Sequence, residues 1–247
     1  MDERLKSHLV ALADKYETEH FLASDPSQFM HRYTVPAEQE RAAFIAAALS
    51  YGSRKQFIPK IEALLRQHAE GILPPDDDAC FYRLHTNRMV RRFLTVTDNL
   101  FSRYGTMLNW MEQEGIHTGT DAVRLITDWF SERDASDLIP KNTASACKRV
   151  CMFLRWMTRD QSPVDLGLWS RQIDKSTLIM PLDTHVLQEA TRLGLTSCRT
   201  GTMSAAVQLT ETMKEAFPGD PTRADFALFG LGVDGSPMSP ARKAVRG

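Results

Sequence analysis

The sequence predicts an all-α protein, and two observations carry that prediction. Apolar residues recur at helical spacing in most windows of the chain, whereas sustained alternation of apolar and polar residues is almost absent. With 247 residues, the chain is long enough to bury about 70% of its surface on folding. A hydrophobic core of that size needs neither disulfides nor a structural metal to hold it together.

The helices can be assigned in chain order from their apolar faces and their caps. Asp25 and Pro26 suit the N-cap and first position of a short helical turn. The next helix begins at Pro36 and ends at Gly52, and its small residues allow a neighbouring helix to approach closely. We expect loops at 74–78 and 160–163. Further helices are expected at Asp2 to His20, Arg54 to Leu65, Arg88 to Arg103, Thr106 to Met111, Thr120 to Arg133, Ser145 to Arg159, Thr184 to Leu193, Thr202 to Phe217 and Thr222 to Leu231.

The charge balance excludes binding of nucleic acid by a general excess of positive charge. Lysine and arginine number 30 against 31 acidic residues, a formal net charge of -1, so any nucleic-acid site must be a local patch. No apolar run reaches the length of a membrane span and the first residues are charged, which favours a cytoplasmic protein that does not enter a membrane. The cysteine spacing is not that of a zinc or redox site. We expect no metal and no cofactor, and the sequence does not indicate the oligomeric state.

The sharpest local signal is the segment from Leu178 to Val186, an apolar approach followed by Asp183, Thr184 and His185 at the start of a helix. A carboxylate there lies among unpaired backbone amides at the positive end of the helix dipole, so it should stay ionised at pH 7. The simpler interpretation is an N-cap that stabilises the helix by about 1 kcal/mol. The functional interpretation is an anion that stabilises a developing positive charge or orients a water.

A second signal is the expected helix from Ser145 to Arg159. Its apolar stripe leaves Lys148, Arg155 and Arg159 together along an adjoining face. An amine at the margin of an apolar stripe and near guanidinium groups loses its proton more easily, as a nucleophilic lysine requires. The alternative is a solvated basic face.

These two segments carry a resemblance to a known superfamily. The Pro181-Leu182-Asp183-Thr184-His185-Val186 run, followed by a helix with Arg192-Leu193-Gly194, resembles the catalytic region of the helix-hairpin-helix DNA glycosylases, the endonuclease III superfamily. The archaeal 8-oxoguanine glycosylases look most similar. The resemblance implies a two-lobed helical fold in which Asp183 is the catalytic aspartate and Lys148 the Schiff-base lysine.

Other segments extend the resemblance along the chain. Residues 36–56 resemble the early helix and leucine-serine turn that insert side chains into DNA, which implies DNA contacts for Arg54, Lys55 and Gln56. Over nearly its whole length the chain also resembles an uncharacterised bacterial family known only as a domain of unknown function. The segments that carry this second resemblance are His31-Arg32-Tyr33, 50–55, 153–157, 181–185 and 225–232.

The expected hairpin departs from the superfamily pattern. Residues 137–145 contain Pro140 but no glycine, although the hairpin's backbone normally approaches a DNA phosphate closely. Lys141 lies in this turn and is a rival for the reactive amine or a phosphate contact. The four-cysteine motif that follows the active site in endonuclease III is missing, so no iron-sulfur cluster is implied.

Four further residues complete the set of candidates. Arg155 and His185 are candidate DNA contacts, although a histidine at a helix start is usually hydrated. Asp225 and Phe229 lie one turn apart and could face a base pocket, with Phe229 stacked on an extruded base. The alternative for that pair is a capping acid and a core aromatic.

The resemblance implies a middle lobe at 36–141 and a second lobe of residues 1–35 and 142–234, with Lys148 and Asp183 meeting in a cleft between them. Residues 235–247 are predicted to be a mobile basic tail. The expected function is excision of a damaged DNA base, an oxidised purine for example, with a Schiff-base lyase step. The alternatives are a non-catalytic module that binds nucleic acid or a nucleoside and a purely structural helical protein.

Overall fold

The computed structural model describes residues 1–234, and helices make up 60% of these residues. The predicted all-α class is therefore confirmed. The α-helices are α1 (Glu3–Tyr16), α2 (Glu19–Leu22), α3 (Pro36–Leu49), α4 (Arg54–Ala69), α5 (Asn87–Tyr104), α6 (Met107–Gln113), α7 (Gly119–Ser131), α8 (Lys148–Thr158), α9 (Thr184–Arg192), α10 (Met203–Met213) and α11 (Ala224–Asp234). Short 3-10 helices lie at Pro26–Arg32, Lys175–Thr177 and Pro221–Arg223.

Capping side chains explain where many of these helices begin. In each case the side-chain oxygen of the residue before the helix accepts a hydrogen bond from a first-turn amide, which satisfies a donor with no partner inside the helix. The capping residues of α1, α5, α6, α7, α9 and α10 are Asp2, Thr86, Thr106, Thr118, Asp183 and Thr202.

Several predicted helices differ in extent from the observed ones; α4, for example, runs to Ala69 instead of Leu65, and α10 ends at Met213 instead of Phe217. The helix expected from Asp2 to His20 ends at Tyr16, because Glu17 turns its carboxylate toward Arg159 and Arg223. The helix expected from Ser145 begins only at Lys148, since Cys147 has a left-handed backbone with φ 46°.

A small antiparallel hairpin was not expected from the sequence. Strands β1 (Cys80–Tyr82) and β2 (His85–Thr86) pair through a tight turn. They are too short to produce a visible alternation of apolar and polar residues. Arg83 in the turn has a positive φ of 51°, a backbone conformation that is uncommon for residues other than glycine.

Helix α3 lies at the centre of the molecule because its small residues let other helices approach. Every residue from 42 to 49 is buried, and α3 contacts both the 3-10 helix at Pro26–Arg32 and α8. Helix α8 also contacts α7, while α1 packs on α11 and α11 packs on α9. The buried apolar side chains form one continuous cluster. The division into lobes stays a prediction, and the expected tail at 235–247 lies outside the described residues.

A buried carboxylate links α3 to two other parts of the core. The Glu40 oxygens accept hydrogen bonds from the Met107 and Leu108 amides at the start of α6, at 2.6 and 3.4 Å, and from the Trp169 indole at 2.8 Å. Glu40 is 1% exposed. Burial outweighs these hydrogen bonds and raises the pKa of Glu40 to about 7.

Across residues 1–234, the structure contains no helix that is both long and apolar enough to cross a membrane. The cytoplasmic location stays a prediction.

The raised pKa of Glu40 predicts a loss of stability as the pH rises. Between about pH 4.5 and 7 the folded state holds a proton that the unfolded state has released, so the free energy of unfolding falls across this range by roughly 3 kcal/mol at most. We expect Glu40→Gln to remove this part of the pH dependence. Urea denaturation at pH 5 and pH 7.5 measures it, and an identical pH dependence in wild type and Glu40→Gln would contradict the assignment.

Candidate functional site

Lys148 and Asp183 lie side by side, 35 positions apart in sequence. Lys148 is the first residue of α8 and Asp183 is the N-cap of α9. The Lys148 Nζ atom is 3.1 Å from Asp183 Oδ2, and the two side chains are 35% and 32% exposed. The pair is therefore a salt bridge that a ligand can reach from solvent.

The surroundings keep Asp183 ionised. Its Oδ1 accepts a hydrogen bond of 2.8 Å from the Val186 amide. Burial alone would raise the pKa of the Asp183 carboxyl, but the Lys148 ammonium and the Val186 amide outweigh that effect and hold the pKa below its usual value. His185, exposed on the first turn of α9, adds a smaller lowering. The carboxylate is thus both a helix cap and the partner of an amine.

The predicted DNA contact by Arg155 is wrong because its guanidinium is buried. Arg155 and Arg159 are each 2% exposed and share Asp165, which is fully buried. Arg155 also binds Asp225 on α11. The sequence placed Arg155 and Arg159 beside Lys148 on an accessible basic face, whereas both enter the protein interior.

Arg159 ties α8 to three further segments. Its guanidinium donates to Glu17 at the end of α1 at 2.8 Å and to Asp220 before the last 3-10 helix at 2.8 and 2.9 Å. Asp165 in the loop after α8 is its third partner. The buried guanidinium groups need these carboxylate partners, because an unpaired buried charge costs several kcal/mol of stability.

Asp225 and Phe229 lie on α11, and Asp225 is near enough to Lys148 and Asp183 to be affected by their charges. Burial raises the pKa of Asp225, Arg155 opposes that shift, and the negative charge of Asp183 adds to it. Phe229 is half-buried and makes edge contacts with the rings of Tyr16 and Phe21 at 5.7 and 5.0 Å between centroids. The role of both residues in a base pocket stays a prediction.

The turn before α4 reaches the same region through Arg54. Its Nη2 atom is 3.2 Å from Asp25 Oδ2, and its guanidinium lies 5.1 Å from the centroid of the Phe229 ring. Lys55 and Gln56 follow on the first turn of α4 and are exposed. Arg54 thus lies against α11, and its DNA contact, like those of Lys55 and Gln56, stays a prediction.

The connection between α7 and α8 carries the rival amine. Lys141 is exposed in this connection, and in the described part of the chain Asp183 forms its salt bridge with Lys148. Cys147 is the last residue of this connection, and its thiol donates a hydrogen bond of 3.5 Å to the Asn142 carbonyl oxygen. Burial raises the pKa of this thiol. The geometry therefore favours Lys148 over Lys141 as the amine that works with Asp183.

The roles of two residues near this site were not predicted from the sequence. Asp25 appeared only as a helix cap, although it is also the partner of Arg54. Arg149 received no role, although it follows Lys148 directly and no acidic residue stands three or four positions away on either side. That lack of an acidic neighbour on the same helix face was a usable signal. Within residues 1–234 no group of three or more His, Cys, Asp or Glu side chains could hold a metal ion.

Comparison with known proteins identifies a family for most of the chain. A family described as "Protein of unknown function (DUF2400)" matches residues 25–234. No curated protein matches this chain, and no solved structure matches it.

The first prediction for the site concerns the pKa of Asp183. Lys148→Met should raise this pKa, because the variant lacks the ammonium that lowers it. In the wild type the carboxylate's contribution to stability is present above the usual value of 3.8 and is lost as the pH falls through the lower folded value. Carbon-detected NMR titration measures both proteins, with Lys141→Met as the matched control. Equal values in wild type and Lys148→Met would mean that the salt bridge does not form in solution.

The second prediction concerns the buried guanidinium of Arg155. Arg155→Met leaves Asp225 without its partner and Asp165 with Arg159 alone, so the free energy of unfolding should fall by about 3 to 5 kcal/mol. Arg124→Met is the control, since Arg124 is 62% exposed in its pair with Asp121, and should change stability by about 0.5 kcal/mol at most. Urea denaturation compares the two, and similar losses would show that the Arg155 pairs are not structural.

Proposed function

The chain belongs to the DUF2400 family, and we propose that it is a DNA base-excision protein that acts on a damaged base through Lys148 and Asp183. The observation that carries the proposal is the salt bridge of 3.1 Å between these two partly exposed side chains. It brings one nitrogen nucleophile and one ionised carboxylate to the start of two helices, α8 and α9.

Asp183 suits the role of the stabilising anion. Cleavage of a glycosidic bond builds positive charge on the sugar, and a fixed negative charge nearby lowers the barrier to that step. The Val186 amide holds one carboxylate oxygen while the other faces Lys148. The lowered pKa of Asp183 supplies the charged form at neutral pH.

Lys148 is the proposed nucleophile. After its ammonium gives a proton to solvent, Nζ bonds to the anomeric carbon as the bond from that carbon to the base breaks, and the base leaves with the electron pair and takes up a proton. Opening of the sugar ring then yields a Schiff base, from which loss of a neighbouring proton expels the 3′ phosphate. Asp183, 3.1 Å away, stabilises the positive charge in both stages.

The choice of a DNA base as substrate rests on the resemblance to the helix-hairpin-helix glycosylases. In this proposal an oxidised purine extruded from the duplex lies near Asp225 and Phe229. The exposed side chains of Lys55, Gln56, Lys141 and His185, together with Arg54, contact the DNA backbone. The buried Arg155 has no part in DNA binding and serves to hold Asp225.

A second function is supported by the same salt bridge. An ammonium in a salt bridge with a carboxylate is not a nucleophile. Such a site suits a module that binds nucleic acid or a nucleoside without cleaving it. The near-neutral charge of -1 gives no preference between the two functions, because both need only a local patch.

Borohydride trapping tests the proposed function. Wild-type protein incubated with a duplex that contains 8-oxoguanine should form a covalent adduct when the Schiff base is reduced. Lys148→Ala should form none, and Asp183→Asn should form it about 100-fold more slowly because the stabilising charge is lost. Lys141→Ala should still form the adduct, and Lys214→Ala, a surface lysine paired with Glu211, is the matched control and should trap at the wild-type rate.

The outcomes separate the alternatives. If Lys148→Ala forms the adduct and Lys141→Ala does not, the reactive amine is that of Lys141. If the wild type forms no adduct and cleaves no damaged duplex, single strand or RNA, while Asp183→Asn binds DNA as the wild type does, the excision proposal fails and the binding module stands.

A further inference from the structure

Arg149 is a half-buried cation without an acidic partner. Its Nη1 atom donates a hydrogen bond of 2.5 Å to the Ala48 carbonyl oxygen at the end of α3. Within residues 1–234 no carboxylate lies within salt-bridge distance of its guanidinium. Burial lowers the pKa of Arg149 because water is removed from the charged form. By contrast, Arg155 and Arg159 on the same helix bind carboxylates.

Arg149 also lies at the positive end of a helix dipole, which increases the positive potential around it. Lys148 and Arg149 open α8, where the helix dipole is positive, and the first turn contains no acidic residue. Cys147 at the N-cap provides no side-chain hydrogen bond. Asp183 neutralises Lys148 but not Arg149, so this end of the helix carries one positive charge in excess.

Three residues surround the same spot and carry no negative charge. The Arg83 guanidinium lies 5.0 Å from the centroid of the Tyr51 ring, and the His85 ring is 6.4 Å from the same ring. His85 is 8% exposed, and its Nε2 atom is buried without a hydrogen-bond partner. Burial and the charge of Arg149 lower the pKa of His85, and the nearby Asp137 carboxylate opposes them without outweighing them. We call Tyr51, Arg83, His85 and Arg149 the hairpin cluster.

We propose that the hairpin cluster binds a phosphoryl anion next to the salt bridge between Lys148 and Asp183. Arg149 supplies the charge and a planar set of donors suited to phosphate oxygens. Arg83 supplies a second guanidinium at the exposed side of the cluster. The identification of this anion as a phosphodiester of DNA rests on the proposed function, whereas the anion site itself does not.

The turn at Gly52 makes room for the cluster. A Cβ atom at this glycine would lie 2.3 Å from Arg83 Nη1, and its φ of 87° also disfavours other residues. Tyr82 fixes the hairpin to the same turn, since its hydroxyl donates to the Tyr51 carbonyl oxygen at 2.7 Å. Arg83 and Tyr51 are exposed, so an anion can reach the cluster from solvent.

The test measures binding to a duplex that contains a tetrahydrofuran abasic-site analogue, by fluorescence anisotropy at several salt concentrations. Arg149→Gln should weaken binding about tenfold and reduce the slope of log affinity against log salt by about 1. Arg83→Gln should act in the same direction and, being on the surface, leaves folding unaffected. Arg124→Gln is the control, because Arg124 already has an acidic partner.

A second arm identifies the source of the phosphate. Methylphosphonate replaces one duplex phosphate at a time, and at one position this neutral group should weaken wild-type binding but add nothing to Arg149→Gln. Inorganic phosphate in calorimetry tests a free anion. If phosphate binds the wild type but not Arg149→Gln while no duplex binds, the anion site stands and the DNA function fails.

The proposed function can also hold while the anion site fails, and the experiments distinguish that case. If borohydride trapping succeeds while Arg149→Gln and Arg83→Gln both bind duplex and phosphate as the wild type does, the proposed function stands and the hairpin cluster is not an anion site. Thermal unfolding of each variant verifies that it is folded before binding is compared.

Discussion

Arg155 and Arg159 leave α8 and enter a buried set of carboxylates drawn from the end of α1, the loop after α8, the segment before the last 3-10 helix and α11. Each guanidinium is 2% exposed, so the charges survive only because partners are fixed around them. The consequence is geometric. The C-terminal half of α8 is tied to α1 and α11, α11 packs on α9, and the start of α8 is therefore held at the start of α9, where Lys148 meets Asp183.

The two ends of α8 differ in whether carboxylates neutralise their cationic side chains. At the buried end every guanidinium has carboxylate partners, and the arrangement is structural. At the partly exposed end, Lys148 pairs with Asp183, while the next residue, Arg149, has a backbone carbonyl as its only partner among the described residues. A charge that the fold leaves unbalanced, at the positive end of a helix dipole, is a physical reason for an anion to bind there. The near-neutral composition of the whole chain conceals this local excess.

Much of the fold follows from local sequence, because caps and apolar spacing act over a few residues. Thr106, Asp183 and Thr202 lie at or next to the predicted starts of their helices, and Thr118 lies two residues before the predicted start of its helix. The β1–β2 hairpin was not predicted because strands of three and two residues are too short to show a periodicity.

The contacts at the site were harder to predict, because they join segments that are distant in sequence. Arg155 was expected on an open face, since the acids that bury it, Asp165 and Asp225, come from outside its helix. Periodicity within a helix identifies its apolar stripe but not which polar positions other segments cover. The meeting of Lys148 with Asp183 was expected from resemblance and not from spacing, because a separation of 35 positions does not determine a contact. Arg149 needed the structure, which shows no carboxylate within salt-bridge distance of it among residues 1–234.

The central claim is that the fold presents the Lys148 amine and the Asp183 carboxylate to one sugar carbon. The most direct measurement is a crystal structure of the protein bound to a duplex with an abasic-site analogue. The account predicts the analogue's anomeric carbon about 3.5 Å from Lys148 Nζ, with Asp183 on the same sugar. A duplex bound on another face, with the salt bridge still closed and remote from the sugar, would contradict it.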